Sequence, residues 1–152
     1  MDQFGCPYSK DPSSRRAGTG GPADGTFKNL LTGEKEWRLN GGNIKDENID
    51  RTSNQVGTLS MANTGAPDSG GSQFFVNVAN NQQLDWFSAG QSKHPVFGAL
   101  VDKKSVELAV AISRVRTAQD NPVKPVKMER ITIVNAPDLA PNLVGKVRGS
   151  IQ

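Results

Sequence analysis

Short apolar runs, separated by clusters of glycine, proline, asparagine and aspartate, constrain the fold of this chain more than any other feature. Four runs have the length and composition of strands: 56–62, 72–78, 95–101 and 127–134. Residues 26–39 predict a hairpin around a Thr-Gly turn, and residues 104–116 carry apolar side chains at helical spacing. The sequence therefore predicts a mainly β fold, with a small sheet or barrel and a helix covering one end.

Length and turn content indicate one loop-rich domain. The chain has 152 residues, with 16 Gly and 9 Pro. Turn residues recur at nearly every third position in 5–25, which predicts a long loop. The segment 136–152 has two prolines and no clear period, so we expect a domain over 1–135 followed by a loosely packed tail.

Charge and cysteine content exclude several classes of function. The net charge is +3, and its 18 basic residues are scattered rather than gathered into a patch, so we expect no nucleic-acid binding. Because Cys6 is the only cysteine and His94 the only histidine, neither an internal disulfide nor a Cys/His zinc site is expected. We expect no metal and no cofactor.

The hydropathy pattern predicts no membrane span and indicates no particular compartment. Nothing resembles a transmembrane span, so we expect no membrane partner. The first ten residues lack the basic and apolar regions of a signal peptide. The compartment stays open between the cytoplasm and an organelle.

The run 72–78 raises the sharpest functional question, because its two predicted faces differ in chemistry. Side chains alternate in an extended chain, which places Gln73, Phe75 and Asn77 on one face and Phe74, Val76 and Val78 on the other. The all-apolar face is expected in the core. The amide–ring–amide face suits a shallow groove, in which a peptide lies against the ring and hydrogen-bonds to a carboxamide. Alternatively, Gln73 satisfies a neighbouring loop backbone, and spacing alone favours this second interpretation.

Several motifs in a fixed order resemble the cyclophilins, the family of cyclosporin-binding peptidyl-prolyl isomerases. They are "GTLSMANTG" at 57–65, "GGSQFFVNV" at 70–78, "LD" at 84–85 and "KHPVFGALV" at 93–101, with "GTGG" at 18–21 and "DEN" at 46–48. The resemblance runs from Met1 to about Val134. It implies a closed or partly open antiparallel β-barrel with a capping helix. It also implies isomerisation of Xaa-Pro bonds in proline-containing peptides or proteins, which assists protein folding.

The resemblance also implies roles for individual residues. Phe75 would form the floor of a slot for the proline ring, with Met1 and Leu84 as walls and His94 at the edge. Gln73 and Gln3 would hold the peptide and the catalytic donor. The remaining substrate-binding positions are Asn63, through its main chain, and Ala62, Thr64, Gln83 and Gly18, which borders a second pocket.

The chain departs from the family at the catalytic arginine. The family's arginine lies in a Phe-His-Arg segment that would precede residue 1, because "MDQFG" matches the end of the following segment. We therefore expect a domain truncated at its N-terminus, with unpaired strand edges, and Arg15 or Arg16 as remote substitutes for the donor. Two functions stay open: an isomerase, or a proline-peptide binding module (or inactive fragment) without catalysis.

Smaller departures concern ligands and packing. Gln83 stands where a tryptophan often donates to cyclosporin, so we expect weak cyclosporin binding. The stretches 6–16 and 22–42 exceed the family's compact core and are expected to affect partner choice. The remaining aromatic residues considered are expected to pack in the interior: Phe74, Phe97, Trp37 and Trp86.

Overall fold

A computed structural model describes residues 1–29 and 32–131 of the chain. Two compact units are distinguished. The first comprises 1–25 and 37–126, and the described residues of the second are 26–29, 32–36 and 127–131.

The described strands, in chain order, are β1 Asp2–Phe4, β2 Gly25–Lys28, β3 Lys35–Arg38, β4 Thr58–Met61, β5 Phe74–Val76, β6 Val96–Ala99, β7 Thr117–Ala118 and β8 Asn121–Pro122. One α-helix, α1, spans Lys103–Ser113, and single 3-10 turns span Pro7–Lys10 and Gln82–Leu84. The described part is thus mainly β with one helix, as predicted.

A four-stranded antiparallel sheet, in the order β1-β5-β4-β6, organises the first unit. Phe75 at the centre of β5 pairs with Gln3 on one side and with Ser60 on the other. Paired residues share a face of the sheet, so the polar strand positions of β1 and β4 flank the Phe75 ring. Among the described strands, β1 and β6 remain edges and the sheet does not close into a barrel.

The helix begins where the sequence supplies a cap. The Asp102 carboxylate accepts a hydrogen bond from the Ser105 backbone N–H at 2.7 Å, which satisfies a free donor of the first turn. The helix buries Ala109 and packs against β1. Its Val106 side chain lies close to Gly57, where an added Cβ would stand 3.1 Å from it. The predicted helix is confirmed, although it ends three residues earlier than expected.

The predicted hairpin over 26–39 is confirmed as the two-stranded β2–β3 sheet. Its turn is closed by hydrogen bonds from Asn29 N–H to Glu34 C=O at 2.8 Å and from Gly33 N–H to Asn29 C=O at 2.9 Å. Gly33 has φ +76°, a left-handed conformation that glycine adopts without steric cost. The Thr-Gly pair therefore marked the turn correctly.

Three structural predictions were wrong. Residues 127–131 are irregular rather than a strand, because no described strand pairs with them; 132–134 and the predicted tail lie outside the described residues. Phe97 is 54% exposed because β6 is an edge strand, and Trp37 is 60% exposed on β3. Phe74 and Trp86 are half-buried, and the Trp86 indole N–H donates to Asp50 C=O at 2.9 Å.

The two faces predicted for 72–78 are confirmed in part, because Val76 on the all-apolar face lies in the core at 8% exposure. Phe75 is 2% exposed and Asn77 1% exposed, whereas Phe74 on the all-apolar face is half-buried between the rings of Phe4 and Phe97. The amide–ring–amide face is therefore the more deeply buried one. The Asn77 amide on this face can be buried because polar side chains accept its hydrogen bonds.

Candidate functional site

A network of hydrogen-bonded polar side chains lies behind the Phe75 ring. We call it the buried amide network: Asn54, Thr58, Ser60, Asn77 and Asp85, each no more than 4% exposed. The Asn77 amide donates to Thr58 Oγ1 at 2.9 Å and to Ser60 Oγ at 3.1 Å, and Ser60 Oγ donates to Asn54 Oδ1 at 2.6 Å. Every member has a partner, which is the condition for burying polar groups at low cost.

Asn54 connects this network to the neighbouring chain segments. Its backbone N–H and side-chain amide both donate to Asp85 Oδ1, at 2.7 and 2.9 Å, and the same amide donates to His94 C=O at 3.1 Å. Ser53 Oγ donates to Asp85 Oδ2 at 2.6 Å. The carboxylate is thus held by neutral donors, and the segment that carries His94 is attached to it through Asn54.

Sequence reasoning missed the buried amide network. The residues it joins are far apart in sequence, with 31 positions between Asn54 and Asp85. One signal was present: Thr58 and Ser60 alternate with Leu59 and Met61 in β4, so a polar face was visible there.

The Phe75 and His94 rings form an edge-to-face pair. Their centroids are 5.5 Å apart and the planes meet at 76°, the geometry that aromatic pairs prefer. His94 Nδ1 lies 2.9 Å from Met61 C=O. Because a carbonyl only accepts, Nδ1 carries the hydrogen, and neutral His94 keeps Nε2 as an acceptor. The His94 backbone N–H donates to Leu84 C=O at 3.0 Å, which brings three of the predicted site residues together.

In front of β5, the Gln73 side chain is the centre of a second set of hydrogen bonds. Its Nε2 donates to Gly18 C=O at 3.0 Å and to Gly20 C=O at 2.9 Å, while its Oε1 accepts from Gln3 Nε2 at 2.7 Å. The glycine loop, β1 and β5 are therefore connected through one carboxamide. Gln73 satisfies a neighbouring loop backbone, which is the alternative that spacing alone favoured.

The glycine loop needs its glycines for close approach. An added Cβ on Gly20 would lie 2.6 Å from the Tyr8 ring, so a side chain there would displace the ring. The Gly20 N–H also donates to Cys6 Sγ at 3.4 Å. Burial raises the pKa of the Cys6 thiol, but the surrounding main-chain hydrogen bonds outweigh it, and its pKa lies below the usual value.

An open groove of about 720 Å³ runs along this side of the first unit. Three parts of the chain line it: Gln3 with Tyr8 and the glycine loop, the segments 22–23 and 40–43, and the β4–β5 connection including Ala62, Asn63 and Thr64. Gln73 lies among the lining residues, so the groove meets the sheet beside Phe75.

Asn63 presents its backbone rather than its side chain. The side-chain amide donates to Lys93 C=O, and Oδ1 accepts from Gly65 N–H at 3.0 Å. Within the described part of the chain, the Asn63 backbone N–H and C=O have no hydrogen-bond partner. An incoming peptide backbone could pair with them, as the resemblance implied.

The other predicted residues are more loosely placed. Met1 is 58% exposed at the start of β1, and Gln83 is exposed in the short 3-10 turn. Arg16 stacks on the Tyr8 ring at 3.7 Å from its centroid and donates to the Tyr8 hydroxyl, while Arg15 is exposed. Neither arginine lines the groove.

No group of three or more His, Cys, Asp or Glu side chains in the described part of the chain is arranged to hold a metal ion. Of the helical segments in 1–29 and 32–131, none is both long enough and apolar enough to cross a bilayer.

The fold and the groove agree with comparisons to known proteins. Residues 9–133 match the family model described as "Cyclophilin type peptidyl-prolyl cis-trans isomerase/CLD". This match covers most of the chain, which therefore belongs to the cyclophilin-type family. The resemblance seen in the motifs is confirmed.

Individual relatives carry matching names. The chain is 41% identical over 95 residues to peptidyl-prolyl cis-trans isomerase A of Dickeya dadantii, covering 61% of this chain and 47% of that protein. It is 38% identical over 95 residues to peptidyl-prolyl cis-trans isomerase of Acinetobacter baylyi, covering 59% and 49%. It is 36% identical over 113 residues to peptidyl-prolyl cis-trans isomerase D of Eremothecium gossypii, covering 74% and 26%. The chain thus spans half or less of the length of these curated relatives.

Proposed function

We propose that this chain is a peptidyl-prolyl cis–trans isomerase, which acts on Xaa-Pro bonds of peptides and proteins and assists their folding. The observation that supports this most directly is the juxtaposition of the Phe75–His94 ring pair with a groove. That groove offers the Gln3–Gln73 amide pair and the unpaired Asn63 backbone. Family membership supports the same reaction.

The chemistry requires positioning rather than a nucleophile. Rotation about an Xaa-Pro amide crosses a barrier of about 20 kcal/mol, because twisting breaks C–N resonance. Each tenfold acceleration needs about 1.4 kcal/mol of preferential stabilisation of the twisted amide. A site that holds the flanking backbone and an apolar proline ring can supply this.

In this proposal, Phe75 is the floor of the proline slot, and Leu84 and Met1 are its walls. Phe75 is nearly covered in the structure, so the slot opens when the half-buried His94 ring and the exposed Met1 side chain move aside. Asn63 pairs with the peptide backbone, with Ala62 and Thr64 beside it. Gln73 and Gln3 keep the glycine loop, including Gly18, in place.

The electrophilic donor in this proposal is Arg15 or Arg16. No residue of this chain matches the family's arginine, and Arg15 and Arg16 are the candidates that lie in the adjacent loop. Arg16 would have to leave the Tyr8 ring to reach a prolyl nitrogen. Loss of acceleration in Arg15→Ala or Arg16→Ala would identify the donor.

The architecture we propose is the family's antiparallel barrel, closed or partly open, over residues 1–135, followed by a separate tail. The antiparallel β1-β5-β4-β6 sheet and the capped helix support it. We also propose weak cyclosporin binding, because Gln83 replaces an indole donor. A nanomolar Kd measured by calorimetry would contradict that part.

The test is NMR exchange spectroscopy on an Ala-Pro peptide in the presence of the folded 152-residue chain. We expect accelerated cis–trans exchange, at least tenfold weaker in Phe75→Leu and retained in Phe74→Leu, its neighbour on the opposite face. Gln3→Ala, at an exposed position, should also weaken it without unfolding the chain. Peptide binding without acceleration would establish a non-catalytic binding module instead.

A further inference from the structure

The side of the groove opposite the sheet is formed by a part of the chain that the resemblance leaves unassigned. We call residues 22–24 and 40–43 the hairpin base, since they are the two ends of the segment that carries the β2–β3 hairpin. Pro22, Ala23, Asn40, Gly41 and Asn43 line the groove. The stretch 22–42, which contains most of this wall, is the one expected from the sequence to exceed the family's compact core.

Hydrogen bonds and close backbone packing hold the hairpin base in place. The Asp24 carboxylate accepts hydrogen bonds from the backbone N–H groups of Gly41 and Gly42, at 2.8 and 2.7 Å. Leu39 and Asn43 exchange both backbone hydrogen bonds, at 2.9 and 2.8 Å. An added Cβ on Gly42 would stand 2.0 Å from Pro22 C=O, so the two ends pack backbone against backbone.

This wall is also joined to the rest of the groove. Ile44 N–H donates to Gly70 C=O at 2.8 Å, which ties the hairpin base to the β4–β5 connection. Gly71 lies against Gly42, where an added Cβ would be 3.4 Å from its carbonyl oxygen. The groove therefore has two connected sides, and the chemistry of both acts on whatever occupies it.

The groove is electrically neutral. Its lining side chains are amides, hydroxyls, one phenol and small apolar groups, and no Lys, Arg, Asp or Glu lines it among the described residues. The Asp24 carboxylate and the Arg16 guanidinium contact lining residues but are engaged, by Gly41 and Gly42 and by Tyr8 respectively.

Several of its hydroxyl and amide protons are already used within the protein. Thr19 Oγ1 donates to Arg16 C=O at 2.8 Å, and Ser72 Oγ donates to Gly5 C=O at 2.7 Å. Both Gln73 amide hydrogens are taken by the glycine loop. A hydroxyl has only one proton to give, so these groups can only accept from a ligand in the groove.

We propose that this groove selects peptides with an uncharged hydrogen-bond donor, a Gln or Asn side chain, about two residues from the proline. This inference rests on the proposed function. Gln73, which directly precedes β5, and Phe75 stand two positions apart, roughly 7 Å, which is also the span of two residues of an extended peptide. A carboxylate or an ammonium would lose its water in a groove whose lining offers no opposite charge to replace it.

The test compares peptides that differ only in a Gln, Glu, Lys or Ala residue two positions before the proline, and a second series with the change two positions after it. Binding and cis–trans exchange are both measured by NMR with the full chain. In one series we expect the Gln peptide to bind about five- to tenfold more tightly than its Glu isostere, the effect of leaving one polar group unpaired. Equal affinities of the two in both series would overturn the inference.

A change of specificity provides the sharper control. Asn43→Lys places a positive charge in the hairpin base and should make the Glu peptide bind better than the Gln peptide. Asn48→Lys adds the same charge at an exposed position that does not line the groove, and should keep the Gln preference. An unchanged Gln preference in Asn43→Lys would contradict the assignment of this wall.

The two proposals fail differently. If the Ala peptide binds and exchanges while Gln and Glu peptides are equal, only the groove assignment is wrong. If no peptide in either series binds, the proposed function is wrong and the groove assignment falls with it.

Discussion

The buried amide network and the groove both involve the face of the sheet that carries Phe75, and both are built from amides and hydroxyls. They differ in how those groups are satisfied. In the network, each carboxamide and hydroxyl is paired within the protein and shielded from water. In the groove, Thr19 and Ser72 use their protons internally and keep Oγ1 and Oγ as acceptors among the lining residues. The comparison shows that residue type alone decides little: an amide stabilises the fold where its partners are complete and recognises a ligand where they are not.

The two regions should differ most in the loss of folding stability when one amide side chain in each is truncated to alanine. Asn54→Ala removes the side-chain amide that donates to the Asp85 carboxylate and to His94 C=O, and leaves the backbone donor to Asp85 in place. It also leaves Ser60 Oγ without its acceptor. We expect the free energy of unfolding to fall by about 3 kcal/mol or more, because a buried carboxylate loses hydrogen bonds. Urea denaturation measures this.

The matched change in the groove is Asn43→Ala, whose side chain makes one long hydrogen bond of 3.4 Å to Asn40 C=O. Its effect on stability should stay within about 0.5 kcal/mol. Similar losses in the two variants would show that the network and the groove are not energetically distinct.

A second pair of variants separates close packing from backbone conformation in the groove wall. Gly41 and Gly42 both have φ +88°. An added Cβ meets nothing within 4 Å at Gly41 but stands 2.0 Å from Pro22 C=O at Gly42. Gly41→Ala should therefore cost about 1–2 kcal/mol for the left-handed conformation, and Gly42→Ala about 1–3 kcal/mol more for the clash.

Thermal and urea unfolding of the two alanine variants check this order. The Gln-to-Glu affinity ratio should also fall further in Gly42→Ala, because its wall must shift. Equal destabilisation would mean that the two ends of the hairpin base are not packed together as described.

The strands, the hairpin and the helix could be predicted because each is a local pattern. Apolar runs bounded by turn residues marked β4, β5 and β6, and apolar side chains at helical spacing marked α1. The alternation of apolar and polar residues in 127–131 wrongly predicted a strand, because a strand also needs a neighbour with which to pair. Phe97 was misplaced for a related reason, since sequence does not show that β6 is an edge.

The sequence predicted which residues belong to the site, but it did not predict the hydrogen bonds between them. The motifs brought Gln3, Gln73, Phe75 and His94 into one hypothesis, and the structure places Gln3 with Gln73 and Phe75 with His94. The burial of Phe75 and Asn77 was not foreseen. The hydrogen-bond partners that allow the Asn77 amide to be buried come from β4 and from Asn54. Long-range hydrogen bonds of this kind leave no periodic trace in the sequence.

The smallest expected effect concerns Asp2, a buried carboxylate that does not belong to the buried amide network. Asp2 lies on β1, and its Oδ2 has no hydrogen-bond partner within the described residues. Burial raises the pKa of Asp2 above its ordinary value of 3.8, and the ammonium of Met1 only partly opposes this. Asp2→Asn should therefore stabilise the fold at pH 7, by about 1 kcal/mol or less.

The pH dependence decides whether desolvation is the cause. A carboxyl with a raised folded pKa binds its proton more tightly in the folded state, so wild-type stability falls as pH rises from 3.8 through the folded pKa. The advantage of Asp2→Asn should accordingly shrink as the pH is lowered towards 4 in urea titrations. Asp11 is the control with the opposite sign: hydrogen bonds from Ser13 lower its pKa, so Asp11→Asn should destabilise at pH 7 and lose that effect on acidification. If the stability differences of Asp2→Asn and Asp11→Asn from the wild type changed with pH in the same direction, burial would not explain the behaviour of Asp2.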